Sequence, residues 1–199
     1  MSNLSDLLPS GGGGSQVDFV ASGTIGNGAT VILNSNGTVS VVAAIEGITV
    51  GTPAVFESAT SNEMVIAYDS LNNKVVIAYQ DAGNANYGTA VVGAVSGTSI
   101  SFGTPVVFET AATYFPGIAY DTNAQKVVIA YTDNGNSNYG TAIVGTVSGT
   151  DISFGTAVVY ESATAYYNNV AYDANAQKVV IVYQDAGNAN YGTSIVGTV

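Results

Sequence analysis

The chain contains no cysteine, histidine, tryptophan or arginine, and its only basic side chains are Lys74, Lys126 and Lys178. Without cysteine there is no disulfide framework, which leaves the redox compartment open. Without histidine or cysteine the usual nucleophile, base and zinc-ligand constellations cannot be assembled, so the sequence predicts a protein that is not an enzyme. A net charge of −11 offers no patch able to release counterions from DNA or RNA and would be repelled by an anionic membrane, so no nucleic-acid partner is expected. There is no long charge-free apolar run, so no membrane insertion is expected. The opening MSNLSDLLPS lacks the basic region and apolar core of a signal peptide. Charged residues make up only 9% of the chain against 47% apolar, too hydrophobic a balance for disorder.

What is present is Val, Ile, Thr, Tyr and Gly, the composition of sheet. The sequence also repeats. GTPVVFETAATYFPGIAYDTNAQKVVIAYTDNGNSNYGTAIVGTVSGTDISF, residues 103–154, is one copy of a unit that recurs every 52 residues. Repeat 1 is 51–102, repeat 2 is 103–154, and repeat 3, 155–199, breaks off in mid-unit. A repeat of this length is a supersecondary unit that buries its apolar face only against its neighbours. Ahead of it, residues 1–15 read as an N-terminal tail and Gly-rich linker, a candidate attachment segment with one capped helical turn through Leu8. Residues 16–50 read as a small β meander or partial blade, with turns at 26–28 and 34–37.

Each copy predicts four antiparallel strands: ISFGTPVVFE, PGIAYD, KVVIAYTD and YGTAIVGTVS in copy 2. KVVIAY and AIVGTV are apolar at successive rather than alternate residues, so these sheets must be covered on both faces. Four-stranded sheets packed face to face satisfy that, and a β-propeller-like array is the expected fold class. Three copies are too few for a closed single-chain propeller, which needs at least four blades. A fourth would come from the meander, from association into a homo-oligomer, or from chain beyond Val199.

Three recurrent features carry candidate chemistry. The turns YQDAGNANYGT, YTDNGNSNYGT and YQDAGNANYGT place Asp81, Asn84 and Asn86, Asp133, Asn136 and Asn138, and Asp185, Asn188 and Asn190 within six residues. These are hard oxygen ligands that could hold calcium, although Asp and Asn also favour such turns by bonding the local backbone. Glu57, Glu109 and Glu161 recur after an aromatic residue, and one carboxylate per copy without a differentiated partner reads as a structural hydrogen bond. One loop diverges while its surroundings repeat: SNEMV at 61–65, TYFPG at 113–117 and AYYNN at 165–169. Tyr114, Phe115, Tyr166 and Tyr167, with Asn62 and Glu63, are therefore the candidate ligand-binding residues, because aromatics on connecting loops stack on sugars or anchor protein contacts.

The Asp-containing turns resemble a loosened Asp-box, the turn between outer strands of sialidase-like propellers, one residue longer and closing on Tyr instead of Trp. That resemblance implies propeller-like architecture without sialidase chemistry, since the family's substrate-binding arginines have no counterpart here. The opening NLSDLLPSGGGGSQVDFVASGTIGNGATVILNSNGTVS, followed by AYDxxxxKVVIAYxDxGNxNYGTxIVGTVSGT arrays, resembles virion structural and tail-fibre-like proteins of marine tailed bacteriophages, especially those of cyanobacterial hosts. The resemblance implies a protein on the virion exterior, attached to other virion proteins by its N-terminal segment. Its repeats would face outward, where they could meet host-surface glycans or a receptor. The alternative reading is a cellular lectin-like or adhesin propeller outside any virion.

Overall fold

The computed structural model describes residues 20–21, 23–25, 31–41 and 49–199. The chain divides into two compact units, Met1–Thr49 and Val50–Val199. The N-terminal helical turn, the Gly11–Gly14 linker and the turn at 26–28 fall outside the described residues.

The first unit holds β1 (Val20–Ala21), β2 (Val31–Leu33) and β3 (Thr38–Val41) in the spatial order β1-β3-β2. β2 and β3 form the expected hairpin across 34–37, whose turn is closed by the Gly37 amide on the Asn34 carbonyl at 3.0 Å. β1, however, pairs with β3 in parallel. The expected antiparallel meander is therefore corrected, because a meander would place β1 beside β2.

The second unit is all β and built from the repeat. Copy 1 supplies β4 (Ser61–Asp69), β5 (Lys74–Asp81), β6 (Tyr87–Ser96) and β7 (Ser99–Phe102). Copy 2 supplies β8 (Val106–Asp121), β9 (Lys126–Asp133), β10 (Tyr139–Ser148) and β11 (Asp151–Phe154). Copy 3 supplies β12 (Val158–Asp173), β13 (Lys178–Asp185) and β14 (Tyr191–Gly197). Hydrogen bonding follows one open path from β4 to β14, with β7 and β11 as side branches on β6 and β10. Among the described residues no sheet closes into a barrel.

The path turns at the two 16-residue strands. The first half of β8 pairs with β6, from Ala90↔Val106 to Tyr87↔Ala112, and its second half pairs with β9, from Thr113↔Asp133 to Asp121↔Lys126. β12 joins β10 to β13 in the same way. This corrects the expectation that ISFGTPVVFE, its start lent by the preceding copy, is a single strand that opens its own copy's sheet. It breaks at Gly103-Thr104-Pro105, and both pieces complete the sheet of the preceding copy as its fourth, outer strand.

Burial on both faces follows from this stacking. Along β9, Val127, Ile129 and Tyr131 join the core shared with copy 1, while Val128 and Ala130 join the core shared with copy 3. In β13 the homologous run alternates between buried and more open positions, because only one of its faces is covered.

Tyrosine and glutamate fasten successive sheets to one another in copies 2 and 3, and the same bond forms within copy 1. The Tyr79, Tyr131 and Tyr183 hydroxyls donate to Glu57, Glu109 and Glu161 at 3.2, 3.1 and 3.0 Å. The other carboxylate oxygen of each Glu accepts from a backbone amide two residues on, at 2.9 to 3.1 Å. The aromatic preceding each Glu lies edge-on to the same tyrosine, with centroids 5.2, 5.3 and 5.2 Å apart. Glu109 therefore belongs to a strand of the first sheet and Tyr131 to the second. The structural role expected of the three glutamates is the role they have.

Burial, then the Glu161 carboxylate, pushes the Tyr183 hydroxyl up to about 12, and burial, then Asp69, does the same to Tyr120. Tyr79, Tyr131 and Tyr160 move in the same direction, again chiefly through burial. The folded chain therefore keeps these protons at a pH where the unfolded chain, with tyrosines near 10, releases them. The contribution of Tyr183 and Tyr120 to stability is fully present below pH 10 and is lost as pH rises through about 12, and that of the other three is likewise present below pH 10. In an alkaline titration these five should ionise only together with the loss of the circular-dichroism signal. Their ionisation in a still-folded chain would contradict the burial assigned to them.

Candidate functional site

The divergent segment expected as a loop lies inside the long strands. At 62–65, 114–117 and 166–169 each strand carries a β-bulge, so that two of its residues oppose one on the neighbouring strand. Glu63 and Met64 stand opposite Tyr79, Phe115 and Pro116 opposite Tyr131, and Tyr167 and Asn168 opposite Tyr183. The first residue of each bulge is left-handed, with φ of 50° at Glu63, 50° at Phe115 and 54° at Tyr167. For a bulky side chain that conformation is rare and costs on the order of 1–2 kcal/mol, strain of the kind that collects at ligand clamps.

The bulges bring the candidate residues of copies 2 and 3 together. Phe115 lies 4.9 Å from Tyr167 and 5.8 Å from Tyr166, ring centroid to centroid, and Tyr114 lies 6.5 Å from Phe115. Tyr167 is 66% exposed, and the other three rings are half-buried. From copy 1, the exposed Glu63 carboxylate accepts from the Phe115 amide. Asn62, also exposed, donates to Gln80 at 3.1 Å, on the flank of the same bulge. Beside the rings lies a cleft of about 320 Å³ lined by Glu63, Met64, Phe115, Pro116, Tyr167 and Asn169 among others.

Sequence reasoning missed what holds this patch in place. Asn168 is buried, and its side-chain amide donates to the Phe115 carbonyl and to Thr132 Oγ1, both at 3.1 Å, while its oxygen accepts from the Tyr160 hydroxyl at 2.6 Å. Thr132 in turn donates to the Ala165 carbonyl, and Gln80, its equivalent in copy 1, donates to the Thr113 carbonyl at 2.7 Å. The strands also approach closely, since a Cβ on Gly117 would lie 2.7 Å from Asn169 Cα. The available signal was that Asn168 replaces Met64 and Pro116 at an otherwise apolar position.

The Asp turns bond to their own backbone. Asp81 Oδ1 accepts from the Gly83 amide at 2.9 Å, Asp133 Oδ1 from Asn136 at 3.2 Å, and Asp185 Oδ1 from Gly187 at 2.8 Å. Asn86, Asn138 and Asn190 take left-handed φ of 61–63°, a conformation asparagine tolerates. Asn134 donates to Asn138 at 3.0 Å, while Asn84 and Asn188 contribute backbone to these turns. Among the described residues no three His, Cys, Asp or Glu side chains gather as a cation set.

Asp69, at the hairpin between β4 and β5, is another engaged carboxylate. Burial alone would raise it, but the side-chain and backbone donors of Asn72, the Tyr120 hydroxyl beside it and the Leu71 amide together hold it below the usual carboxylate range. A separate apolar cleft of about 220 Å³ between copies 2 and 3, lined by Val128, Val144, Ile181, Ile195 and Val196 among others, has no charged side chain to orient a ligand. The aromatic bulges are the stronger candidate site.

No protein-family model matches the chain, and no curated protein resembles it significantly.

Proposed function

We propose that the chain is a non-enzymatic display module of a virion exterior, a propeller-like β array that binds host-surface glycan or receptor through the aromatic bulges. The observation that carries the reading is the strained patch of Tyr114, Phe115, Tyr166 and Tyr167. Four rings lie on bulges whose first residues are left-handed, within an otherwise nearly verbatim repeat. Flat aromatic faces beside a shallow cleft, edged by Glu63 and the Asn62 amide, suit the apolar face and hydroxyl rim of a sugar ring. Support for the propeller-like form comes from the outer strand of each sheet running on to become the first strand of the next. The virion assignment rests on the resemblance of the opening segment and repeats. Support for a non-enzymatic role comes from the glutamates, each fully engaged by a tyrosine hydroxyl and a backbone amide.

The test is binding of the full chain to a glycan panel and to host-envelope extracts, beside a variant with all four rings changed to Ala. The proposal expects at least a tenfold loss of binding in a variant whose circular dichroism is unchanged. Binding that survives the substitutions, or no binding by the parent chain, would refute it.

A further inference from the structure

We propose that the open edge and face of copy 3 receive copy 1 of a second chain, head to tail, through the same interface that joins copy 1 to copy 2 and copy 2 to copy 3. Each internal interface has two parts. One is strand pairing, in which Gly88↔Glu109, Thr89↔Val107 and Ala90↔Val106 recur as Gly140↔Glu161, Thr141↔Val159 and Ala142↔Val158. The other is packing, in which one sheet face is covered by the next copy.

Copy 3 presents the first half of this interface unfilled. Ala78 and Val92 are fully buried, whereas their equivalents Val182 and Val196 are 45% and 61% exposed. β14 ends the hydrogen-bonded path with no strand on its far side among the described residues. Copy 1 presents the other half. Its Ala54–Glu57, equivalent to the paired Val106–Glu109, forms no strand, and Val55 is 79% exposed. Ile66 and Tyr68 are exposed as well, although their equivalents Ile118 and Tyr120 are core.

The repeat of one glycine points to the occupant. A Cβ on Gly88 would lie 2.5 Å from the Phe108 ring, and one on Gly140 2.6 Å from the Tyr160 ring, so each glycine makes room for the aromatic of the next copy. At Gly192 nothing lies within 4 Å and φ is not left-handed, so the space above this glycine is open. The ring with matching periodicity is Phe56 of a second copy. In the resulting register Gly192 faces Glu57, Thr193 faces Val55 and Ser194 faces Ala54, a β-augmentation that pairs the open edge of β14. Such a heterologous contact propagates to a ring or a filament.

Two variants of the full chain test this. Gly192→Val fills space that is empty in the single chain but lies where Phe56 of the second copy would seat. Sedimentation velocity should show concentration-dependent assembly of the parent chain, strengthened by salt because each chain carries −11. Gly192→Val should stay monomeric with an unchanged thermal melt. The chain has no cysteine, so Val55→Cys with Thr193→Cys provides a single defined pair, which under oxidation should give a ladder of disulfide-linked chains. A parent chain monomeric at every concentration would overturn the inference, as would a Gly192→Val variant that assembles like the parent or a cysteine pair yielding only uncrosslinked monomer. Those outcomes would assign the open face to another occupant, such as residues 16–50 or further chain.

Discussion

Gly103→Ala is expected to destabilise the repeat array by about 3 kcal/mol or more, while the same substitution at Gly155 changes stability by no more than about 0.5 kcal/mol. The two glycines occupy the same place in successive copies, and each amide donates to a β-strand carbonyl, Val92 at 2.9 Å and Val144 at 3.0 Å. They differ in what lies above them. A Cβ on Gly103 would stand 2.0 Å from the Thr150 carbonyl oxygen and 3.0 Å from its carbon, both backbone atoms that no rotamer change can move. Thr150 belongs to the turn between β10 and β11, so relief would require the sheets of copies 1 and 2 to separate. On Gly155 the nearest atom would be the Val144 oxygen at 3.8 Å, an ordinary contact. Urea midpoints of the two variants decide the matter. Equal effects would mean that the close approach of copies 1 and 2 is not a determinant of stability.

Tyr131→Ala is the second large expected effect, a loss of about 3–5 kcal/mol. The ring is fully buried, lies edge-on to Phe108 at 5.3 Å and belongs to the largest core cluster. Tyr131→Phe separates packing from the hydrogen bond. It keeps the ring and leaves Glu109 without its inter-sheet donor, for an expected cost of about 1–3 kcal/mol, since bonds to charged groups are the stronger kind. A Phe variant as stable as the parent would show that the sheets are held by packing alone.

The sequence made legible whatever depends on local pattern. The doubly apolar KVVIAY run implied cover on both faces, and β9 has a core on each side. The recurrence of glutamate after an aromatic implied a structural hydrogen bond, and all three glutamates make one, although the tyrosine partners were not legible. Features set by the choice of partner strand were not legible. Nothing local in ISFGTPVVFE says that it completes the preceding sheet, because that choice depends on residues of another copy. In the first unit likewise, no turn signal announces that β1 skips β2 to pair with β3.

The aromatic site was half legible. Divergence within a repeat picked out its residues, but Asn, Pro and Gly in TYFPG and AYYNN read as loop breakers. In the fold they serve a bulge, with Pro116 opposite Tyr131, Gly117 at a close strand approach and Asn168 as a buried tie between strands. Asn168 is held by Tyr160, eight residues back along its own strand beyond the bulge, and by Thr132 on β9, a contact across strands that sequence spacing does not reveal.

The most direct test of the binding account is to label tyrosine and phenylalanine rings isotopically in the full chain and titrate in the glycan or envelope fraction while following ring resonances. The account predicts that Tyr114, Phe115, Tyr166 and Tyr167 shift together with one affinity, while the buried rings of Tyr79, Tyr131 and Tyr183 stay unmoved. Saturable shifts confined to other rings, such as Tyr68 or Tyr191, would contradict it.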